Sequence, residues 1–304
     1  YREMALNKVL IVNNSFPAAG LEILKKNLPD IKKNINGYDA LIWNTKHKLN
    51  AEILDLAGSQ LKAISTMSSG LDHIDLDEVE KRGIPLGNTP QVLDDAVADI
   101  TVGLMIGAAR RFKEGIVEIE NGNWKYGVQW SLGQDIAGST VGIVGFGGIG
   151  QAVVRRLKGF DVKRFVYTGR SEKPEERLPL AQLLKESDFV ILCCPLTPET
   201  KHLINADSLK TMKSTAVLVN IARGGVVDTN ALCEALKENR IFAAGLDVVD
   251  PEPINKDHPI LSLFPVLVPH VGSATVQTRN KMASITANNI VAGLQGKPMQ
   301  FPVL

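Results

Sequence analysis

A glycine-rich turn near the middle of the chain has the residue types and spacing needed to hold a dinucleotide. Gly145, Gly147 and Gly150 form a GxGxxG motif directly between a strand-like run at 140–144 and an amphipathic helical segment. In such a turn the first glycine permits a tight bend, the second lets the backbone approach a pyrophosphate, and the third lets the helix pack closely. Because the N–H groups at the start of a helix attract anions, we predict a dinucleotide at this turn.

The end of the next strand candidate favours NADP(H) over NAD(H). An NAD-binding site has Asp or Glu there, about 20 residues after the glycines, to bind the ribose 2′-OH. This chain has Tyr167-Thr168-Gly169-Arg170-Ser171 instead. A guanidinium beside hydroxyl groups attracts a 2′-phosphate, so we predict NADP(H) as the preferred cofactor and NAD(H) as the alternative.

Three further polar segments each follow a strand candidate. They contain Arg223 within 220–225, Glu252 within 247–253 and His270 within 269–274. In open α/β sheets ligands bind outside the carboxyl ends of the strands. We therefore expect these three side chains, although distant in sequence, to converge at one site.

Five motifs in a fixed order make the chain resemble a known family. They are SSGLDHID at 68–75, GFGGIG at 145–150, NIARGGVVD at 220–228, GLDVVDPEP at 245–253 and PHVGSAT at 269–275. Together they resemble the D-isomer-specific 2-hydroxyacid dehydrogenases, most closely the glyoxylate reductase/hydroxypyruvate reductase branch. The resemblance covers nearly the whole chain and implies NADPH-dependent reduction of small 2-oxo acids, glyoxylate to glycolate and hydroxypyruvate to D-glycerate.

The resemblance implies a role for each charged side chain. Arg223 would bind the substrate's carboxylate and keto oxygen, for which the planar fork of a guanidinium is well suited. His270 would act as general acid, because a ketone reduced by hydride develops alkoxide charge that a protonated imidazole can neutralise. Glu252 would orient the imidazole. Backbone groups of Ser69 and Gly70 would hold the substrate carboxylate.

The resemblance also implies further contacts. Trp130 lies where this branch uses an aromatic residue on a dimer-crossing loop to line the neighbouring subunit's substrate pocket. Cofactor contacts are expected from residues in or next to the motifs: Thr101, Gly145, Gly147, Gly148, Ile149, Gly150, Gly169, Arg170, Ser171, Pro195, Leu196, Thr197, Ile221, Ala222, Asp247, His270 and Gly272. Most members of the family have Arg or Lys in place of Gly148, so one side-chain contact to the pyrophosphate is missing here. We expect the backbone donors to suffice, with weaker affinity.

The elements that must position these residues alternate between strand and helix. This alternation predicts an α/β protein with two doubly wound parallel sheets, in which a Rossmann dinucleotide-binding domain is inserted into a smaller flavodoxin-like substrate domain. We place the substrate domain at 1–101 and 276–304 and the NAD(P)-binding domain at 102–275. The stretches 28–35 and 171–180, where each sheet needs one more strand, are short and polar.

Two long helices are expected at the domain junctions. Residues 94–111 have apolar residues on one helical face, and Asp94 or Asp95 can cap the start. Residues 275–294 have a second helical pattern, and this helix could return to pack on the first domain.

Composition excludes several classes of protein. The 34 Lys and Arg nearly balance the 33 Asp and Glu, so no basic field favours nucleic acid or anionic lipid. Apolar runs are too short to span a bilayer, and the three cysteines suggest reduced thiols and no metal site. We expect a cytoplasmic enzyme that forms a homodimer and acts on a small acid, without a nucleic-acid or membrane partner.

Two alternatives stay open at this point. One is an NAD-linked D-2-hydroxyacid dehydrogenase of the phosphoglycerate or lactate type. The other is a non-catalytic, dinucleotide-sensing corepressor of the same fold. The residues after the second strand of the large domain disfavour the first, and Trp130 disfavours the second.

Overall fold

The chain folds into two compact units. The computed structural model describes residues 8–12, 16–27, 30–31, 35, 37–45, 47–124 and 127–304. One unit comprises the described residues up to Leu93 together with Ser273–Leu304, and the other comprises Asp94–Gly272. These units join after Leu93 and after Gly272, whereas the boundaries predicted from the sequence follow residues 101 and 275. The helix that begins at Asp94 therefore lies wholly within the second unit.

The first unit is built on a five-stranded parallel sheet. Its strands are β1 (Lys8–Val12), β2 (Asp30–Ile31), β3 (Ala40–Trp43), β4 (Ala63–Ser65) and β5 (Leu86–Gly87). They lie in the order β2-β1-β3-β4-β5, which is the flavodoxin-like order predicted. The strand expected within 28–35 is present as the two residues of β2; 28–29 and 32–34 lie outside the described residues.

Helices pack on this sheet, and their side chains form two buried apolar clusters with those of the strands. They are α1 (Ala18–Asn27), α2 (Ala51–Ala57), α3 (Leu76–Lys81) and the C-terminal α10 (Val276–Leu294). Ala283, Ala287 and Ile290 of α10 share one buried cluster with Leu24 of α1, so α10 returns to the first unit as predicted. Asn289, fully buried, donates to the Asn88 carbonyl (3.2 Å) and accepts from the Gln300 N–H (3.0 Å).

The second unit is built on a seven-stranded parallel sheet. Its strands are β6 (Thr140–Val144), β7 (Arg164–Thr168), β8 (Glu176–Arg177), β9 (Phe189–Leu192), β10 (Val217–Asn220), β11 (Ala243–Leu246) and β12 (Val266–Leu267). They lie in the order β12-β11-β10-β9-β6-β7-β8, and all pairs are parallel. This is the Rossmann order. From β6 the chain adds strands on one side as far as β8 and then continues on the other side with β9, so the order of the strands reverses between β6 and β9. The strand expected within 171–180 is β8.

The helices of the second unit connect these strands. They are α4 (Asp94–Ala109), α5 (Phe112–Glu120), α6 (Gly148–Leu157), α7 (Leu180–Glu186), α8 (Ala206–Thr211) and α9 (Thr229–Lys237), with three short 3-10 helices at Lys158–Phe160, Gly224–Val226 and Pro259–Leu263. Asp94 and Asp95 lie inside the first turn of α4, so neither is the cap that the sequence suggested. Within the described part of the chain, no helix combines the length and apolar character needed to cross a bilayer.

Candidate active site

The glycine turn joins β6 to α6 and exposes the start of the helix. Gly145 has φ +90°, a backbone conformation that L side chains rarely adopt, and a Cβ there would lie 2.6 Å from the Cys194 nitrogen. A Cβ on Gly150 would lie 2.8 Å from the Gly145 carbonyl oxygen, whereas open space surrounds Gly147. Gly147 is the N-cap and has no side chain to offer the leading N–H groups of α6. These groups therefore suit a bound anion such as a pyrophosphate.

A buried tyrosine organises the turn that follows β7. Tyr167, 1% exposed, stacks on Phe146 of the glycine turn with ring centroids 4.7 Å apart. Its hydroxyl accepts a hydrogen bond from the Lys173 N–H (2.8 Å) and donates to the Ser171 carbonyl (3.2 Å). Arg170 and Ser171 are exposed at the tip of this turn. The ring thus ties the turn predicted to read the ribose directly to the turn predicted to bind the pyrophosphate.

The turn after β9 contains Pro195, Leu196 and Thr197. Thr200 closes it, because its hydroxyl donates to the Pro195 carbonyl (2.6 Å) and accepts from the Thr197 N–H (2.8 Å). The Leu196 side chain lies beside Gly225, where a Cβ would meet it at 3.4 Å. The turns after β9 and β10 are therefore neighbours at the same edge of the sheet.

A buried asparagine at the end of β10 shapes the turn that carries Arg223. Asn220, 1% exposed, accepts from the Ala222 N–H (3.0 Å) and donates to the Arg223 carbonyl (3.0 Å). The Arg223 guanidinium donates to the Ala222 carbonyl (2.8 Å) and is only partly buried. Ile221 and Ala222 are buried in the same turn. The asparagine amide thus holds both sides of the loop, a role that the sequence patterns did not indicate.

Glu252 and His270 form a pair that connects two loops. The Glu252 Oε2 atom lies 3.2 Å from the His270 Nδ1 atom, and the Glu252 Oε1 atom accepts from the Val249 N–H at 3.2 Å. The His270 side chain is 44% exposed and the Glu252 side chain 20%. The carboxylate is therefore shielded while the imidazole keeps an accessible edge. This arrangement leaves the Nε2 side of the ring for a proton transfer.

The backbone of His270 is held in an unusual conformation. His270 has φ +54°, a left-handed value that costs a non-glycine residue free energy. Its N–H donates to the carbonyls of Asp247 (2.8 Å) and Val268 (3.1 Å), which secure this conformation. Strained residues of this kind cluster at functional sites, where the surrounding structure holds them in place.

Asp247 is a buried carboxylate that accepts hydrogen bonds from the loop that contains His270. It is 3% exposed, and its two carboxylate oxygens accept from the N–H groups of Val271 (2.7 Å) and Gly272 (2.9 Å). Burial raises the pKa of Asp247, and the two N–H donors and His270 oppose this shift. The structure shows that Asp247 and Gly272 bond each other. Their contact with the cofactor, which the family resemblance implies, stays a prediction.

The other predicted residues have the following surroundings. Thr101 is fully buried in α4, and its hydroxyl donates to the Val97 carbonyl (2.6 Å). Trp130 lies on a loop of the second unit and is 39% exposed. In the first unit, the Ser69 carbonyl accepts from Asn88 Nδ2 (3.0 Å), and the Gly70 carbonyl accepts from the Ser68 hydroxyl (2.6 Å). The carbonyls of Ser69 and Gly70 are therefore engaged internally.

The second unit thus brings the glycine turn, the Arg170 turn, the Pro195 turn, the Arg223 turn and the Glu252–His270 pair to one edge of its sheet. Gly224, next to Arg223, packs against the backbone at 249–250, and Val249 in turn donates to Glu252. No group of three or more metal-ligating side chains occurs among the residues that the structure describes. This edge can hold a dinucleotide and present a cation and an imidazole beside it.

Comparison with known proteins agrees with this geometry. Residues 102–272 match the family model "D-isomer specific 2-hydroxyacid dehydrogenase, NAD binding domain". A glyoxylate reductase/hydroxypyruvate reductase of Mus musculus is 46% identical over 279 residues, which cover 89% of this chain and 85% of the relative.

Two solved structures have the same fold. A protein of Thermus thermophilus superposes with a TM-score of 0.91 at 40% identity, covering 98% of this chain and 100% of the other. The NADPH-dependent glyoxylate/hydroxypyruvate reductase of Sinorhizobium meliloti, solved in complex with NADP and malonate, superposes with a TM-score of 0.85 at 30% identity, covering 98% and 97%.

Proposed function

Since the chain belongs to the D-isomer-specific 2-hydroxyacid dehydrogenase family and is an NAD(P)-dependent oxidoreductase of its glyoxylate reductase/hydroxypyruvate reductase branch, we propose that it uses NADPH to reduce glyoxylate to glycolate and hydroxypyruvate to D-glycerate. The observation that carries this proposal is the Glu252–His270 pair, 3.2 Å apart, at the sheet edge that also holds the glycine turn and Arg223. An acid, its orienting carboxylate and a cation suited to carboxylates are the groups that a 2-oxo acid reductase requires.

Each residue has a distinct task in this proposal. The reduced nicotinamide, when bound, supplies a hydride to the keto carbon. Arg223 binds the substrate's carboxylate and keto oxygen through its fork of N–H donors, and so holds the acid in one orientation. His270 donates its proton to the oxygen as negative charge develops there. Glu252 accepts from Nδ1, which directs Nε2 toward the substrate and fixes the ring.

In the first unit, we assign Ser69 and Gly70 to the substrate carboxylate. Their carbonyls are already bonded to Asn88 and Ser68. Because both residues are anchored through their carbonyls, the backbone of the loop is held in place and its N–H groups suit an anionic oxygen. The contribution of Trp130 to the substrate pocket of a second subunit belongs to the same proposal.

The preference for NADPH rests on the turn held by Tyr167. An exposed Arg170 at its tip attracts a 2′-phosphate, and the chain has no carboxylate at the end of β7 to bind a ribose 2′-OH or repel a phosphate. An Arg170→Glu variant should lose about tenfold or more in affinity for NADPH while its affinity for NADH stays the same or rises. Equal losses for both cofactors would contradict the assignment of Arg170 to the 2′-phosphate.

The central test is a matrix of substrates and cofactors. Glyoxylate, hydroxypyruvate, pyruvate and phosphohydroxypyruvate are each incubated with NADPH and with NADH, and loss of reduced-nicotinamide absorbance is followed. We expect the first two with NADPH to have the highest kcat/KM. Dinucleotide binding without turnover of any acid would favour a dinucleotide-sensing protein, and preference for NADH with another acid would favour a lactate or phosphoglycerate dehydrogenase.

Arg223 provides the matched test of substrate binding. Arg223→Lys keeps the positive charge but loses the fork of donors, so we expect kcat/KM to fall by about 100-fold or more with NADPH affinity unchanged. Near-normal turnover in this variant would show that Arg223 does not bind the substrate.

We also propose that the protein is a homodimer that acts in the cytoplasm. In α5 none of the residues is buried, and Phe112, Ile116 and Ile119 are each at least 50% exposed on the helix. Val128 and Trp130, in the loop that follows, are also exposed. A second copy that covers such apolar side chains would remove them from water. In sedimentation experiments the parent chain should be a dimer and the Ile116→Glu variant a monomer.

The free cysteines suit a reducing compartment such as the cytoplasm, which cell fractionation would test.

A further inference from the structure

An acidic side chain lies beside the start of the helix that follows the glycine turn. Asp94 is the first residue of α4, and Gly148 is the first residue of α6. A Cβ on Gly148 would overlap the Asp94 Oδ2 atom and lie 2.9 Å from its Cγ atom. The carboxylate therefore rests directly on the backbone of the glycine turn, in the space that a side chain at position 148 would occupy.

Ion pairs link α4 to α6 close to this contact. Arg156 bonds Asp99 (2.6 Å) and Asp95 (2.8 Å), and Arg155 bonds Asp95 (2.9 Å). They bridge two packed helices in which the first residue of one lies beside the first residue of the other. In the described chain these arginines form their bonds with Asp95 and Asp99, whose charges they balance.

Opposing electrostatic effects act on the negative charge of Asp94. Burial raises the pKa of Asp94, the charge of Asp95 raises it further, and Arg155 opposes the shift. The positive end of the α6 dipole lies beside it and attracts any anion. A pyrophosphate held by the same helix start carries negative charge into this region, where it meets a carboxylate already present.

We propose that Asp94 sets the affinity for the dinucleotide by electrostatic competition at the start of α6. The proposal deepens the proposed function and rests on cofactor binding at the glycine turn. Its carboxylate repels the pyrophosphate, so the chain binds its cofactor less tightly than the same turn would without the acid. A weaker complex releases spent cofactor faster, which favours exchange between successive turnovers.

The test is a comparison of two charge-neutralising variants of the full chain. Dissociation constants for NADPH and NADH are measured by nicotinamide fluorescence, without substrate, for the parent, Asp94→Asn and Asp95→Asn. Removing one like charge close to a bound phosphate should tighten binding by Asp94→Asn about tenfold. Asp95→Asn removes the same charge from a residue bonded to two arginines, and should change the constants much less. Asp94→Ser, which suits a helix start, repeats the test without the amide.

Comparing the changes in NADPH and NADH affinity shows which part of the cofactor the Asp94 charge acts on. The pyrophosphate is common to both dinucleotides, so NADPH and NADH should tighten by the same factor in Asp94→Asn, and added salt should shrink that factor. Unchanged or weaker binding by Asp94→Asn and Asp94→Ser would overturn the role of Asp94, as would tightening confined to NADPH. Failure of the parent chain to bind either dinucleotide would instead refute the cofactor assignment itself.

Discussion

The backbone contact between the Arg223 turn and the Glu252 loop can be tested by adding one methyl group. A Cβ on Gly224 would overlap the carbonyl group of Val249 and lie 2.6 Å from the Asp250 nitrogen. These are main-chain atoms, which cannot rotate away as the end of a side chain can. Gly224→Ala therefore requires the two loops to separate.

The size of that separation sets the expected loss of activity. An ordinary carbon contact is about 3.5 Å, so the loops must move apart by about 1 Å. Arg223 is the neighbouring residue on one loop, and Val249 donates to Glu252 on the other. Misplacement of catalytic groups by about 1 Å costs roughly 100-fold in rate, and overpacking of this kind costs about 1–3 kcal/mol of folding free energy.

Gly225→Ala is the matched control. A Cβ there would meet the Leu196 methyl groups at 3.4 and 3.5 Å and the Asp250 Oδ2 atom at 3.8 Å, which are ordinary contacts with side chains. Both variants add the same methyl group to the same short helix, so they differ only in what that group touches. We expect kcat/KM for glyoxylate to fall about 100-fold in Gly224→Ala and to change less than about threefold in Gly225→Ala.

Thermal unfolding of both variants shows whether Gly224→Ala is still folded when assayed. A stability loss of about 1–3 kcal/mol lowers Tm by several degrees in a unit of this size and leaves the protein folded at assay temperature. Equal activities in the two variants, with equal Tm values, would show that the Gly224 contact does not position the site.

Two further predictions concern side chains of the second unit. Glu252→Gln keeps the shape of the side chain but has one acceptor oxygen for the two donors at Val249 and His270, so one hydrogen bond of about 1–1.5 kcal/mol is lost. We expect kcat to fall about tenfold while the affinity for NADPH is unchanged. An unaltered kcat would contradict the positioning role of Glu252. Burial raises the pKa of the Cys194 thiol to about 11, so near neutral pH the folded protein should resist alkylation there and react only on unfolding, as peptide mass spectrometry can show; rapid labelling of native Cys194 would refute its burial.

The sequence predicted those features that neighbouring residues encode. Strand and helix patterns located the two sheets, because side-chain periodicity follows directly from backbone geometry. The glycine turn was also predicted, because the spacing of glycines that defines it extends over only a few residues. The parallel order of both sheets followed from the alternation of strands with helices.

Contacts between distant segments could not be predicted from local spacing. Asn220 and Tyr167 are ordinary residues in strand-like runs, and only the turns that fold onto them show why an amide and a hydroxyl stand there. A polar residue at the end of an apolar strand was the available signal for Asn220. The hydrogen bonds from the loop that contains His270 to both carboxylate oxygens of Asp247 are another contact of this kind.

By itself, the sequence determined that this is a two-sheet α/β protein with a dinucleotide turn and an arginine, a glutamate and a histidine at strand ends. The family resemblance implied the pairing of Glu252 with His270, which the fold brings about between distant segments. The tertiary structure alone decided that the Asp94 carboxylate rests on Gly148. The reason is physical: local spacing dictates the path of the backbone, whereas the packing of α4 on α6 and the register of parallel strands determine which distant side chains meet.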